Sequence, residues 1–565
     1  MFIFLTLLVR LGWIQLYQGE ELAAEALAQR TRQIEIAEYP RGEILDRNRL
    51  PLTDATFTVA LYAIPEEISA NPAELLSGSK RGQKSQVMDA IVWKLAACLN
   101  HGNPVSIKRE LLLGLASGRP AVRIAADLTA GEIQRIKRSG LPGLVVAPEM
   151  KRYQEYGCAV HLIGYVGGGD PPRGMSGIER CYEGLLSKPE ANLSLAFTQD
   201  ARGTAIKGLK LRSPDDSEVL RGSVVLTIDK RIQQAVEEVM NSRVGKGAVV
   251  VMDVRSKEIL AIASRPVYDP YSIAAIIRND RNGSLNNRSL MSYPPGSLFK
   301  LLIAAAALEE GLVTRDETFV CTGEYRFNQE AVIPCWKQGG HGKISFAEAL
   351  AQSCNSVFIE TGLRLGRERL IRYARQLDLT DESIGGFSYG PAGSGIVIDG
   401  GEAALGNASI GQQGVMLTPV QLCSLTATIA DDGIWGRPCI VDCTIDKQGK
   451  IRDFSSSERR QTMKPETAKV LQSMMVKAVE QGTARNAAPY EAAVAGKTGT
   501  GQTGNIGRDN EEILNTWFAG YFPVERPQWA VVVLVEEGKS GAEDAAPVFR
   551  DIAARVLKTL PSCDE

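Results

Sequence analysis

Few residues of this chain are suited to holding a metal, a cofactor or a nucleic acid. Its three histidines, His101, His161 and His341, stand outside any HExxH pattern, and its ten cysteines form no CxxC pair and no metal-ligand spacing. We therefore expect no catalytic metal and no cofactor. The net charge is −2, and no basic stripe is interleaved with aromatic residues, which argues against nucleic acid as a partner.

The cysteines are spread along the chain, and most are predicted to be buried thiols. Cys321 and Cys335 differ from the rest because they flank the segment CTGEYRFNQEAVIPC, which is predicted to form a hairpin. In an extracytoplasmic protein these two cysteines could be bridged. The sequence does not set the Cα separation that a disulfide requires, so the pairing is left open.

The chain also lacks a complete membrane span at its start. The first residues, MFIFLTLLVRLGWIQLY, are apolar apart from Arg10 and Gln15, and they fall short of the roughly 20 mostly apolar residues that a span needs. Three interpretations stay open: the C-terminal part of a truncated or misassigned transmembrane anchor, a signal peptide cleaved at Ala24-Glu25-Ala26, or a buried helix. The anchor, assigned to residues 1–17, is favoured because the positively charged start of a signal peptide is missing.

Length and composition indicate a multidomain globular protein. At about 150 residues per domain, 565 residues suggest two to four domains, and 44% hydrophobic residues are enough for a sizeable core. A polar, turn-rich stretch near 205–222 marks a boundary between residues 18–215 and residues 222–565. Strands are predicted at both ends of the second part and helices in its middle (298–480), so we expect one sheet built from distant segments beside a helical lobe.

The segment PPGSLFK carries the first candidate catalytic pair, Ser297 and Lys300. Prolines and a glycine precede a strongly helical run, so both side chains are expected on one face of a first helical turn. A desolvated lysine can take the proton of a serine hydroxyl, because burial lowers the pKa of an ammonium group. SxxK by itself is a weak signal, however, since a capping serine and a surface lysine would give the same pattern.

Two further motifs follow in the chain. Ser353, Cys354 and Asn355 form a polar break in an apolar helical stretch, where a simple turn between helices is the alternative. GKTGTG, residues 496–501, is predicted to be a strand offering Lys497, hydroxyl groups and open backbone, with a glycine-rich turn as the alternative. A phosphate-binding loop is disfavoured because its GxxxxGK[ST] frame is absent. The order SxxK, SxN, KTG is typical of β-lactamases and penicillin-binding proteins, so the three together are a strong signal.

The chain resembles the class B penicillin-binding proteins over nearly its whole length. RGEILDRNRLPLT (41–53) resembles the motif that opens their N-terminal domain, with Arg49 standing where the family usually has Gly. Gln154 likewise stands where Pro is common. The other similar segments are KRYQEYGCAVHLIGYVG (151–167), GMSGIERCYEGLL (174–186), IGQQGVMLTPVQL (410–422), TWFAGYFP and AAPVFRDIAARVL.

The resemblance implies an α+β multidomain fold. A mixed α/β pedestal, or dimerisation-like, domain would precede a transpeptidase domain with a five-stranded antiparallel sheet, flanking helices and an all-helical lobe. The implied activity is that of a serine D,D-transpeptidase which cross-links peptidoglycan stem peptides ending in D-Ala-D-Ala and is acylated by β-lactams.

The resemblance also implies roles for the motif residues. Ser297 would attack the substrate, Lys300 would act as general base, and Ser353 and Lys497 would relay the proton to the leaving amine. Asn355 would bind the substrate peptide and orient Lys300.

The remaining roles that it implies fall on the strand. Thr498 and Thr500 would bind the terminal carboxylate, helped by the charge of Lys497, and Gly499 would admit the substrate backbone. The backbone N–H groups of Ser297 and Thr500 would form an oxyanion hole, worth roughly 3–4 kcal/mol per donor.

Alternatives remain. No EDxxFxxHxG-like glycosyltransferase motif precedes residue 220, and a β-lactamase does not need the N-terminal domain. A D,D-carboxypeptidase would carry the same motifs, and a scaffold that docks a membrane glycosyltransferase is a non-catalytic alternative. We expect a cell-membrane location with a single N-terminal anchor and an extracytoplasmic catalytic domain.

Overall fold

The structure is a computed structural model. It describes residues 2–18, 22, 31–38, 41–53, 56–68, 83–119, 121–141, 143–153, 157–167, 172–187, 192–198, 210–212, 222–327, 331–390, 392–454, 458–507 and 510–559. Gln154, the cleavage site predicted at 24–26 and residues 216–221 of the predicted boundary lie outside these ranges.

The N-terminal part mixes helices and short strands. Its helices are Phe2–Tyr17, Pro65–Ile68, Gln83–Cys98, Pro104–Ala116, Ala130–Ser139, Val160–Ile163, Gly177–Cys181 and Glu183–Leu186. Its strands are Thr31–Glu38, Glu43–Leu45, Thr56–Ala63, Val122–Ala125, Leu144–Lys151, Val166–Gly167, Arg173–Gly174, Asn192–Thr198 and Lys210–Arg212. Thr56–Ala63 is the middle strand of an antiparallel three-stranded sheet, on which the longer helices pack.

Two local features of this part follow from backbone conformation. The helix Ala130–Ser139 begins at Thr129, which forms a capping box with Glu132, and it ends at Gly140 in the left-handed conformation. Arg49 has a φ of 63°, so the backbone there is in the region that favours glycine. That conformation explains why the related motif usually carries glycine at this position.

The first helix, Phe2–Tyr17, has 16 residues. Among the described residues, no helix combines the length and the apolar character needed to cross a bilayer. Phe4, Leu7 and Trp13 of this helix are exposed.

A five-stranded antiparallel sheet, here called the central sheet, organises the C-terminal part. In spatial order its strands are Ile259–Arg265, Gly247–Asp253, Trp529–Gly538, Glu512–Phe522 and Ala495–Ile506. The strands come from both ends of this part of the chain, as the sequence predicted. Ala495–Ile506, which contains GKTGTG, is an edge strand of this sheet.

Helices cover both faces of the central sheet. Because side chains alternate along a strand, Val249 and Val251 face one layer while Val250 and Met252 face the other. The first layer is formed by Lys230–Arg243 and Ala546–Thr559. The second layer contains Pro419–Ala430, which begins at a capping box of Thr418 and Gln421.

The segment between the outer strands forms the predicted helical lobe. Its helices are Lys300–Glu309, Phe346–Ala351, Asn355–Leu365, Arg367–Gln376, Glu402–Ser409, Pro419–Ala430 and Pro465–Gln481. The C-terminal part as a whole also contains short helical segments at Ile273–Asn279, Arg288–Leu290, Gly296–Phe299, Arg485–Ala487 and Gly541–Ala545. Short strands lie at Ser223–Leu226, Thr318–Cys321, Glu324–Arg326, Val332–Pro334, Gly342–Ser345, Gly395–Ile396, Val415–Met416, Ile434–Gly436, Val441–Ile445, Ile451–Asp453 and Arg459–Gln461.

A buried ion cluster joins three segments of the N-terminal part. The Glu179 carboxylate is fully buried and accepts hydrogen bonds from Arg41 at 3.1 Å, Arg152 at 2.7 Å and the Tyr153 hydroxyl at 3.2 Å. Nearby, the strand Glu43–Leu45 pairs in parallel with Ser223–Leu226, which connects the N-terminal part to the C-terminal part. Three of the segments that carry the family resemblance, residues 41–53, 151–167 and 174–186, therefore meet at this cluster.

Candidate active site

Ser297 and Lys300 lie at a junction of two helical segments. Ser297 belongs to the 3₁₀ turn Gly296–Phe299, and Lys300 begins the helix Lys300–Glu309. Residues three apart in a 3₁₀ turn lie on the same side, as the sequence predicted. Ser297 is half-buried, whereas Lys300 is fully buried.

Glycines bring the KTG strand against the serine turn. A Cβ atom at Gly296, whose φ is 54°, would lie 2.1 Å from the carbonyl oxygen of Thr500. A Cβ at Gly501 would lie 2.2 Å from the Pro294 oxygen, and one at Gly499 would lie 2.9 Å from the Pro295 oxygen. The missing side chain of Gly499 allows this strand to pack on the serine turn, and the admission of a substrate backbone by Gly499 stays a prediction.

The Lys300 ammonium group is held by the SCN motif. Its Nζ donates to the Ser353 carbonyl at 2.9 Å, to the Ser353 hydroxyl at 3.3 Å and to Asn355 Oδ1 at 2.7 Å. Burial lowers the pKa of Lys300 to about 8. The SxxK and SCN motifs therefore meet, and the lysine is nearer to neutrality than an exposed one.

The SCN motif is a tight break between two helices. Phe346–Ala351 ends before it, and Asn355–Leu365 begins with its last residue. Ser353 has a φ of 55°, which non-glycine residues adopt rarely, and unusual backbone of this kind often occurs at functional sites. The break turns the Ser353 carbonyl and hydroxyl toward Lys300.

Lys497 is the second buried lysine of the site. Its Nζ donates to the Thr498 carbonyl at 2.8 Å. The pKa of Lys497 is well below its usual value, mainly because the amine is buried and secondly because the charge of Lys300 is near. Burial therefore works against the positive charge predicted for Lys497.

The structure adds two polar residues that the motifs did not indicate. Gln412 donates from Nε2 to the Thr500 carbonyl at 3.2 Å and accepts from the Gln502 N–H at 3.0 Å, so one amide clamps the edge strand. Thr483 shares a hydrogen bond of 2.7 Å between its hydroxyl and that of Thr498. Gln412 lies in a segment that resembled the family, but Thr483 carries no sequence signal.

The described cysteines are largely buried. The nine described cysteines are free, and all but Cys181 are buried, as predicted. The hairpin between Cys321 and Cys335 is formed by Glu324–Arg326 and Val332–Pro334. The Cys321 thiol lies 3.5 Å from Ser356 Oγ, and the Cys335 sulfur lies 3.6 Å from His341 Nδ1.

The arrangement suits nucleophilic catalysis by a serine. A hydroxyl on a helical turn, a buried amine three residues later and a polar edge strand across the turn are the parts of an acyl-transfer site. The model of the penicillin-binding protein transpeptidase domain matches residues 247–554, and that of the penicillin-binding protein dimerisation domain matches residues 36–189. The chain belongs to the class B penicillin-binding proteins.

Relatives of this penicillin-binding protein agree with that assignment. It is 29% identical to stage V sporulation protein D of Bacillus subtilis, over 99% of this chain and 84% of the relative. It is 33% identical to peptidoglycan D,D-transpeptidase PbpA of Mycolicibacterium smegmatis, over 60% and 73%. It is 26% identical to peptidoglycan D,D-transpeptidase FtsI of Escherichia coli, over 98% and 89%.

A solved structure is also similar to this penicillin-binding protein. It is the crystal structure of the D,D-transpeptidase domain of a peptidoglycan glycosyltransferase from Eggerthella lenta, with a TM-score of 0.58 and 25% identity, over 73% of this chain and 93% of the other. The expected two-domain α+β fold with a five-stranded antiparallel sheet is confirmed. The protein is a serine-type peptidoglycan D,D-transpeptidase, and β-lactam binding is general to its family.

Proposed function

We propose that Ser297 is the nucleophile of this transpeptidase and that Lys300 is its general base. The observation that carries the proposal is the burial of the Lys300 amine beside Ser353 and Asn355, three residues after Ser297. With a pKa of about 8, about one lysine in ten is neutral at pH 7. That fraction is enough to accept a proton as the serine attacks.

In the first step the Ser297 Oγ attacks the penultimate D-Ala carbonyl of a stem peptide, and its proton passes to Lys300. Ser353 and Lys497 relay a proton to the leaving nitrogen, the peptide bond breaks, and the terminal D-Ala departs. In the second step an amine of another stem peptide attacks the ester, forms the cross-linking amide and returns the proton to the Ser297 oxygen.

The strand would hold the substrate in line for this chemistry. The hydroxyls of Thr498 and Thr500 bind the terminal carboxylate, and the backbone N–H groups of Ser297 and Thr500 form the oxyanion hole. A bound carboxylate raises the pKa of nearby Lys497, because opposite charges favour the protonated amine. Substrate binding would therefore offset part of the effect of burial on Lys497.

The experiment is a time course with a fluorescent penicillin. Wild type should form a covalent adduct that decays slowly, and Ser297→Ala should form none. Ser292→Ala is the matched control, since this half-buried serine donates to the Ala392 carbonyl outside the motifs. An adduct that persists in Ser297→Ala would refute the assignment, and rapid loss of the wild-type adduct would indicate a β-lactamase.

We also propose that the helix Phe2–Tyr17 anchors the protein to the cell membrane, with the catalytic part outside. The exposed Phe4, Leu7, Leu11 and Trp13 support this, because such apolar side chains gain from contact with lipid. Deleting residues 2–17 should move the protein from the membrane fraction to the soluble fraction. Retention of the shortened protein in the membrane fraction would contradict the proposal.

A membrane glycosyltransferase is the partner we propose for the N-terminal part. The matched domains are a transpeptidase and a dimerisation domain, and the strands that a transpeptidase cross-links are made by a polymerase. Deleting residues 1–60 should abolish co-purification of a peptidoglycan polymerase, whereas Ser297→Ala should leave it intact. Unchanged recovery after the deletion would argue against this partner.

A further inference from the structure

Four side chains that are well separated in sequence meet beside the SCN motif. Cys321 ends the strand Thr318–Cys321, Cys335 follows the strand Val332–Pro334, His341 precedes the strand Gly342–Ser345, and Cys354 caps the helix Asn355–Leu365. The three sulfur atoms and a ring nitrogen of His341 all lie within 4.8 Å of one another. The three thiols are at most 3% exposed.

Three sulfurs and one imidazole nitrogen are a donor set that zinc prefers. In a tetrahedral site with Zn–S bonds of about 2.3 Å, neighbouring sulfurs stand roughly 3.8 Å apart. The Sγ of Cys335 and the Nδ1 of His341 are 3.6 Å apart, which already fits such a site. We propose that Cys321, Cys335, His341 and Cys354 together bind one zinc ion.

The surrounding backbone holds the donors in place. We call residues 321–341 the cysteine loop. Its two ends cross closely, since a Cβ at Gly340 would lie 2.3 Å from the Cys321 carbonyl oxygen. The Cys335 N–H donates to the Gly323 carbonyl at 2.8 Å, and the ring of Trp336 packs edge-on against that of His341 at 5.5 Å. The donors therefore approach one another through fixed main-chain contacts.

A disulfide explains this cluster less well than a metal does. Any one bridge would use two sulfurs and leave the third thiol and the imidazole without a role. The Nε2 atom of His341 is buried and has no hydrogen-bond partner among the described residues, so one of the two ring nitrogens is left unsatisfied by the protein alone. A single zinc ion uses all four side chains, and thiolate ligands select zinc over magnesium or calcium.

The site is connected to the catalytic residues. Cys354 lies between Ser353 and Asn355, the two residues whose side chains hold Lys300. Asn355 Nδ2 donates to the Pro334 carbonyl at 3.0 Å, and Trp336 Nε1 donates to the Gln352 carbonyl at 2.8 Å. The metal would therefore fix the cysteine loop to the SCN motif and act as a positioning device for Lys300. This consequence rests on the proposed function, whereas zinc binding itself does not.

The test is to purify the full chain in a mild detergent with a reducing agent and without chelators, and to measure zinc by elemental analysis and native mass spectrometry. Wild type should carry about one zinc per chain. Cys335→Ser and His341→Ala should carry far less, and Cys181→Ser should match wild type because Cys181 lies outside the cluster. Cobalt(II) in place of zinc should give sulfur-to-cobalt charge-transfer absorption.

Wild-type protein without zinc, or with a mass lower by two hydrogens from a disulfide within the cluster, would overturn the proposal. If a variant fails to fold, wild-type protein stripped of zinc with a chelator is tested instead. Penicillin acylation of the stripped protein should be slower and should recover when zinc is restored. Zinc without any penicillin adduct would refute the proposed function alone, and an adduct without zinc would refute the metal site alone.

Discussion

The Nζ of Lys300 lies 2.7 Å from Oδ1 of Asn355, a residue 55 positions later in the chain. The same Asn355 donates from Nδ2 to the Pro334 carbonyl, so its amide is held at both ends. The SCN motif therefore orients Lys300, and the cysteine loop in turn holds the SCN motif in place.

Replacing Asn355 should disturb catalysis more than stability. In Asn355→Ala the Lys300 amine loses its shortest hydrogen bond, and misplacement of a catalytic group by about 1 Å can cost on the order of 10²-fold in rate. We expect the second-order rate constant of penicillin acylation to fall by about that factor. The measurement is stopped-flow fluorescence, and a wild-type rate in the variant would contradict the orienting role.

The acylation rate should depend on pH through Lys300. Burial lowers the pKa of this lysine to about 8, and only its neutral form accepts a proton. The rate should therefore rise between about pH 6 and pH 8 and level off above pH 9. Rate constants measured across this range in one buffer series test this. A rate independent of pH would mean that another group is the base.

Gln412 should matter for the edge strand. Its amide contacts both the Thr500 carbonyl and the Gln502 N–H. Without this clamp the Thr500 N–H is less well placed for the oxyanion, and loss of one such donor costs about 10²–10³ in rate. Gln412→Ala should approach the lower end of that range in acylation. The neighbouring Gln413→Ala is a suitable control because Gln413 is exposed, and equal rates in both variants would refute this role.

The Glu179 cluster should stabilise the N-terminal part. Glu179→Ala leaves the side chains of Arg41 and Arg152 without their buried carboxylate, and breaking a buried pair of this kind costs about 3–5 kcal/mol. The denaturation midpoint should fall accordingly. Glu110→Ala breaks the exposed pair with Arg109 and should cost less than about 1 kcal/mol. Equal midpoints for the two variants would contradict the prediction.

His161 should make the protein less stable in mild acid. Burial lowers its pKa from 6.5 to about 4, so between these values the unfolded chain binds more protons than the folded one. Its stabilising contribution is therefore complete above pH 6.5 and is lost as the pH falls toward 4, up to about 3 kcal/mol. Denaturation of wild type and His161→Gln at several pH values measures this, and equal pH dependence in the two would contradict it.

The sequence by itself determined the parts of this protein and their order. The spacing of Ser297 and Lys300, the polar break at Ser353 and the strand around Lys497 could be predicted because each depends on local backbone preference. The central sheet could be predicted in outline, since alternating and continuous apolar runs indicate strands wherever they occur in the chain.

Only the tertiary structure decided which of these parts touch. Two distant segments cross so closely that only glycine fits at positions 296, 499 and 501. The hydrogen bonds of Gln412 to the edge strand depend on the same crossing. Cys321, Cys335, His341 and Cys354 are spaced like no familiar metal motif, yet their donor atoms converge. Such long-range contacts depend on how helices and strands pack, and a local sequence pattern carries no information about that packing.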